Sequence, residues 1–206
     1  SNLTDDRLKR AKHGNWWDHT PHRALANNSA CYTEKPDFEA FLNEWSSLYE
    51  SKAGERGIFS RVASQKQAAK NGRRDANYAF GTNPCSEIVL RGPKLDKNGH
   101  PIPNTGGQFC NLSEVVVRPE DTIEELKWKV RLATILGTLQ ATLTDFRYLR
   151  GIWKKNTEEE ALLGVSLTGI MDNSLMTLEN PRLPELLEEL RHEAIKTNKE
   201  WAKRLG

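Results

Sequence analysis

The sequence lacks most of what a membrane-bound, secreted or zinc-dependent protein needs. No window approaches the about 18 consecutive apolar residues of a transmembrane helix, and the first residues, Ser1 to Asp6, are polar and acidic, with no signal peptide. There are three cysteines, Cys31, Cys85 and Cys110, an odd number without short regular spacing. That pattern argues against a disulfide framework and for a reducing, cytoplasmic setting. No Cys-x-x-Cys or His-x-x-x-His pair is present, so no metal site is expected. His13, His19 and His22, around the Trp16-Trp17 pair, read as surface or turn histidines. Neither sign of charge dominates: 30 basic and 28 acidic residues are interspersed, for a formal net charge of +2. Neither a nucleic acid nor a membrane is therefore expected as a partner, and Lys70, Arg73 and Arg74 read as solvated surface. An initiating methionine is also missing, so the chain is expected to be a fragment or a processed product.

What is present describes a globular protein. With 37% hydrophobic and 28% charged residues over 206 positions, the chain can bury one sizeable core and form one domain or at most two.

Local signals divide the chain into helices and short strands. Residues 24–34 hold a candidate strand. Asp37 can cap a helix in which Phe38, Phe41, Leu42, Trp45, Leu48 and Tyr49 recur at helical spacing. A more polar helix is expected from Ile58 to about Ala69, stopped by Asn71-Gly72. Residues 71–84 read as a loop, 87–91 and Phe109 to Val117 as strands, and the Gly- and Pro-rich stretch 92–107 as a long exposed connection. Asp121-Thr122 opens the strongest helical pattern, from Ile123 through Leu126, Val130, Leu132, Leu136, Leu139 and Leu143 to Phe146. Glu158 to Leu163 reads as a helical or turn stretch, Gly164 to Ile170 as a buried strand or loop, and Pro184 to about Leu205 as a closing helix. Helices between short apolar strands indicate an α/β class. About four strands are visible, too few to close a barrel.

The chemistry is concentrated in Gly81-Thr82-Asn83-Pro84-Cys85-Ser86-Glu87-Ile88. Pro84 drives Asn83 out of the helical region, so the segment is expected to be extended, with Asn83, Cys85 and Glu87 projecting to one side. A thiol can serve as nucleophile, redox group or hydrogen-atom carrier. A neighbouring carboxylate can take a proton from a hydroxyl, and an amide can orient that hydroxyl. A turn followed by an edge strand, with Cys85 simply buried, accounts for the same residues. Cys110, which opens the next strand candidate, is either a second thiol for the same pocket or a small core residue.

The runs NPCSEI and FCNLSEV resemble the finger loop and following strand of ribonucleotide reductase catalytic subunits. ALANNSA (24–30), GERGIFSR (54–61), RYLRGIWKKN (147–156) and GVSLTGIMD (164–172) are similar to that family in the same order. The flanks look most like the adenosylcobalamin-dependent type, in particular its monomeric ribonucleoside-triphosphate-reducing branch. The resemblance implies that residues 1–206 are a helix-rich segment of the family's ten-stranded α/β barrel, including its finger loop at about 81–91. It implies that Cys85 carries the thiyl radical that removes the 3′ hydrogen of a ribonucleotide. Glu87 would accept the 3′ hydroxyl proton, Asn83 would hydrogen-bond the sugar hydroxyls, and Cys110 would be half of the reducing dithiol. It further implies adenosylcobalamin as cofactor, the remaining segments of the reductase as partners, and a thioredoxin-like reductant.

The chain departs from the family pattern in several respects. The other half of the dithiol belongs to an earlier strand than any matched here, and Cys31 does not sit in a stretch that looks like it. The phosphate-binding loop is expected after residue 206, and neither shuttle cysteines nor an allosteric nucleotide domain is recognisable. The isolated chain is accordingly expected to be inactive. A non-catalytic module that packs with a partner polypeptide is the alternative, and it predicts an exposed apolar surface. A stand-alone thiol oxidoreductase using Cys85 and Cys110 would need basic groups near Cys85, and none is adjacent in sequence.

Overall fold

The computed structural model describes residues 5–26, 28–54, 56–83 and 86–206, without the side chains of residues 25 and 71. The chain divides into two compact units, Ser1–Gln108 and Phe109–Gly206. It is mixed α/β, with 47% helix, 14% strand and small sheets. The described strands form three two-stranded sheets and no closed barrel. No described helix is long and apolar enough to cross a membrane.

In the first unit, α1 (Asp6–Lys9), α2 (Trp16–His19) and a 3-10 turn (Pro21–Leu25) lead into β1 (Ser29–Tyr32), α3 (Phe38–Ser51), β2 (Gly57–Ser60) and α4 (Arg61–Asn71). β1 and β2 pair in parallel, Ser29 opposite Gly57 and Tyr32 opposite Ser60, with α3 as the crossover. The helix expected from Ile58 therefore begins three residues later. Ile58 to Ser60 form strand, and Ser60 caps α4 by accepting a 3.2 Å hydrogen bond from the Ala63 N–H.

α3 starts where its sequence places it, with the Asp37 carboxylate accepting from the Ala40 N–H at 2.7 Å. Its facing is the reverse of the expected one. Glu44, Ser47 and Ser51 are buried, whereas Phe38 and Tyr49 are each 78% exposed and Phe41, Leu42 and Trp45 are also exposed. The buried Glu44 is held by Arg56, which donates from Nε to Oε1 at 2.7 Å and from Nη2 to Oε2 at 2.6 Å. A bidentate charged pair outcompetes an apolar stripe for the inward position here.

The second unit is built on β5 (Asn111–Val116) and β6 (Leu163–Thr168), which pair in parallel from Asn111 opposite Leu163 to Val116 opposite Thr168. Between them run α5 (Ile123–Gln140) and α6 (Gly151–Glu160), and α7 (Leu183–Leu205) packs on α5. The core joins Val115, Val117, Leu126, Val130, Met176 and Leu190. α5 opens with a full capping box: the Thr122 hydroxyl accepts from the Glu125 N–H at 3.3 Å, and the Glu125 carboxylate accepts from the Thr122 N–H at 2.8 Å. It ends at Gln140 rather than Phe146, because the Thr142 hydroxyl donates to the Leu139 carbonyl at 2.7 Å and takes over a helical acceptor. Leu132, Leu136 and Leu139, expected in the core, lie on its exposed face.

Candidate functional site

The expected extended segment is a hairpin. β3 (Gly81–Thr82) and β4 (Val89–Leu90) pair antiparallel, Gly81 opposite Leu90 and Thr82 opposite Val89. The ladder continues inward with the Asn83 N–H donating to the Ile88 carbonyl at 3.2 Å, and the Ser86 N–H closes a turn on the Asn83 carbonyl at 3.1 Å. Ser86 has φ +66°, in the left-handed region, so alternation along a strand cannot aim the Asn83 and Glu87 side chains. The turn does that instead. The Asn83 side-chain amide donates to the Glu87 carboxylate, and its oxygen accepts from the Ile88 N–H at 3.0 Å. Asn83 and Glu87 are thus brought together as expected, by a different backbone route. Cys85 and Pro84 lie outside the described residues.

The stretch 92–107 is exposed over 96–104, as expected of a connection, and its first residues add a bridge to the base of the hairpin. Tyr78 bridges to Lys94, and the Ala79 N–H donates to the Pro93 carbonyl at 2.8 Å. Between the pairs 78–94 and 81–90, two residues on one strand oppose three on the other, which is a β-bulge at Arg91–Gly92. A Cβ at Gly92 would lie 2.0 Å from the Ala79 carbonyl oxygen, so only glycine fits. Asp75 anchors the far end. Its carboxyl accepts from the Asn77 N–H at 2.9 Å and pairs with Lys94 at 2.9 Å, which holds it below the usual carboxylate range.

The hairpin tip meets the start of β2. A Cβ on Gly57 would come within 3.6 Å of the Ser86 hydroxyl oxygen. The Thr82 and Ser86 hydroxyls are 3.4 Å apart. Sequence reasoning did not single out these two hydroxyls, and a serine at positive φ carries no local signal that would have done so.

Cys110 belongs to the second unit, just before β5, where it lines a cavity of about 500 Å³ with Phe109, Leu143, Phe146, Arg147 and Thr157. The Phe109 ring packs against Phe146 and Trp153 at centroid distances of 4.9 and 5.0 Å, and its N–H donates to the Thr157 hydroxyl at 3.1 Å. Cys31 lies in β1 opposite Phe59 and packs on the cluster of Phe59, Tyr78 and Phe80, the place of a small core residue. Neither Cys31 nor Cys110 is in a disulfide.

Among the described residues, no group of His, Cys, Asp and Glu is placed to hold a metal ion. No histidine lines the 500 Å³ cavity or a second one of about 450 Å³ in the first unit. Chemically, the hairpin turn offers an exposed carboxylate, oriented by an amide, two residues from a cysteine. Comparison with protein-family models, curated proteins and solved structures gave no match.

Proposed function

We propose that the chain is part of a ribonucleotide reductase of the adenosylcobalamin-dependent type, with Cys85 as its radical carrier. The observation that supports this reading is the pairing of Asn83 with Glu87, the residues two before and two after Cys85 in the sequence. Adenosylcobalamin, held by other segments of the enzyme, would supply the radical chemistry that takes the hydrogen atom from the Cys85 thiol and gives it back after turnover. The Cys85 thiyl radical takes the hydrogen from the substrate 3′ carbon. Glu87 accepts the 3′ hydroxyl proton, and Asn83 fixes the carboxylate for that transfer. The 2′ hydroxyl leaves as water, and a dithiol to which Cys110 contributes supplies two electrons and two protons and becomes a disulfide. Glu87 then returns its proton to the 3′ oxygen, and Cys85 returns its hydrogen to the 3′ carbon. Ribonucleotide and dithiol are converted to deoxyribonucleotide, disulfide and water, and a thioredoxin-like protein reduces the disulfide again.

The experiment is reconstitution of the chain with the other polypeptides of its reductase, adenosylcobalamin, a ribonucleoside triphosphate and a dithiol. Deoxyribonucleotide that forms with the native chain and is lost in Cys85→Ala and Glu87→Gln supports the reading. Product that persists in Cys85→Ala overturns it. Product that requires an iron or manganese radical subunit instead of the cobalamin keeps the family and overturns the type.

A second reading, a non-catalytic module that packs with a partner, is favoured by the outward aromatic stripe of α3. Phe38, Phe41, Leu42, Trp45 and Tyr49 form one exposed apolar row on a single helix. Stable binding of reductase segments with no turnover under any radical source would select this reading.

A further inference from the structure

The 14 positions from Arg61 to Arg74 hold Arg61, Lys66, Lys70, Arg73 and Arg74 and no acidic residue, in a chain whose charges otherwise nearly balance. Between α4 and β4 lies the 450 Å³ groove, lined among others by Ser64, Gln67, Ala68, Arg73, Arg74 and Val89. None of its lining residues is acidic. Its volume falls in the range of small-molecule sites, about 300–1,000 Å³.

Arg74 is fixed in place. Its Nη1 donates to the Val89 carbonyl at 2.9 Å, and its guanidinium lies 4.8 Å from the centroid of the Phe80 ring. Arg73 is exposed at the groove, and Gln67 adds an exposed amide one turn from Lys70. The Ser64 hydroxyl donates to the Ser60 carbonyl at 3.1 Å. Cations at the C-terminal end of α4 also complement the helix dipole, but that dipole amounts to about half a unit charge. Lys70, Arg73 and Arg74, the three cations at that end, exceed it severalfold. Guanidiniums are the side chains best shaped for phosphate oxygens, because their N–H fork matches two oxygens at once.

We propose that this groove binds a small oligophosphate anion, with Arg73 and Arg74 as its main contacts and Gln67 and Lys70 at its rim. Isothermal titration of inorganic tripolyphosphate into the full chain tests this directly. Saturable one-to-one binding is expected, weakening with added salt. Arg73→Glu is expected to weaken it by about tenfold or more, as loss of one charge-assisted contact implies. Lys203→Glu, an exposed charge near the end of α7, is expected to leave it unchanged. Arg73→Gln serves if the reversed charge disturbs folding, which circular dichroism reports. The proposal fails if tripolyphosphate does not saturate, if Lys203→Glu weakens binding as much as Arg73→Glu, or if neither Arg73 variant has an effect. Binding of a single-stranded oligonucleotide where tripolyphosphate does not bind would overturn it as well, in favour of an extended polymer surface.

Discussion

The side chain of Asn83 spans the turn between β3 and β4, donating to the Glu87 carboxylate and accepting from the Ile88 N–H at 3.0 Å. One amide thus uses both its donor and its acceptor to fix the Glu87 carboxylate and to close the loop. Asn83→Ala removes both bonds. The Ile88 amide is then expected to exchange with solvent about fivefold faster, since a net hydrogen bond is worth about 1 kcal/mol. Hydrogen exchange followed by NMR reads this, and an unchanged Ile88 rate would show that the backbone alone holds the turn.

The bulge at Arg91–Gly92 makes a sharper demand. Gly92→Ala places a Cβ 2.0 Å from the Ala79 carbonyl oxygen, with backbone rather than a flexible side chain as the obstacle. A loss of about 3 kcal/mol is expected, at the upper end for overpacking. Gly99→Ala is the control, since Gly99 has φ +81° and nothing within 4 Å, and about 1 kcal/mol is expected there. Urea midpoints of the two variants decide the matter, and equal losses would remove the bulge from the account.

The parts of this fold that the sequence discloses are those governed by neighbours in the chain. The Asp37 and Thr122 caps, the starts of α3 and α5, and the extent of α7 follow from residues within one helical turn. What it conceals depends on distant partners. The orientation of α3 follows from Glu44 meeting Arg56, which no helical periodicity encodes. Leu143 and Phe146 continue the α5 spacing, yet Phe146 packs on Phe109, and Leu143 is exposed beyond the helix end. α6 begins after Arg150, whose side chain makes no cap, so its start carries no signal. Within the candidate site, the association of Asn83 with Glu87 was legible, but the turn that produces it was not. Pro84 signals an extended neighbour, whereas Ser86 at positive φ signals nothing.

Glu44 and Arg56 have side chains only 5% and 1% exposed. Removing one charge leaves the other buried without its counter-ion, which typically costs about 3–5 kcal/mol. Glu44→Gln is therefore expected to destabilise the first unit by that order, and Glu44→Gln with Arg56→Met by less. Denaturant unfolding of the single and double variants checks it. Equal losses in the two would mean that Arg56 is held by its other contacts and not by this pair.

The last expectation concerns acid. The Asp121 carboxyl is held below its ordinary value chiefly by the Lys129 ammonium, which donates at 2.6 and 2.7 Å, and also by the Arg118 N–H at 2.8 Å, with burial opposing. A carboxyl depressed in the folded state binds its proton less readily there than in the unfolded chain. Its contribution is therefore complete above the unfolded value, near pH 4, and is lost as the pH falls through the folded value. Asp121→Asn keeps an acceptor for the Arg118 N–H but loses the ion pair, so it is expected to lower Tm by a constant amount from about pH 7 down to about pH 5. Below about pH 4 the two proteins should begin to converge, because the unfolded wild-type chain then takes up a proton that the folded carboxylate resists. Asp75 and Glu125 are depressed in the same direction, so both proteins lose stability in acid, and only the difference between their Tm curves isolates Asp121. A difference that persists unchanged to about pH 3 would mean that the pair with Lys129 adds nothing to stability, and that the variant acts through packing at the β5–α5 turn.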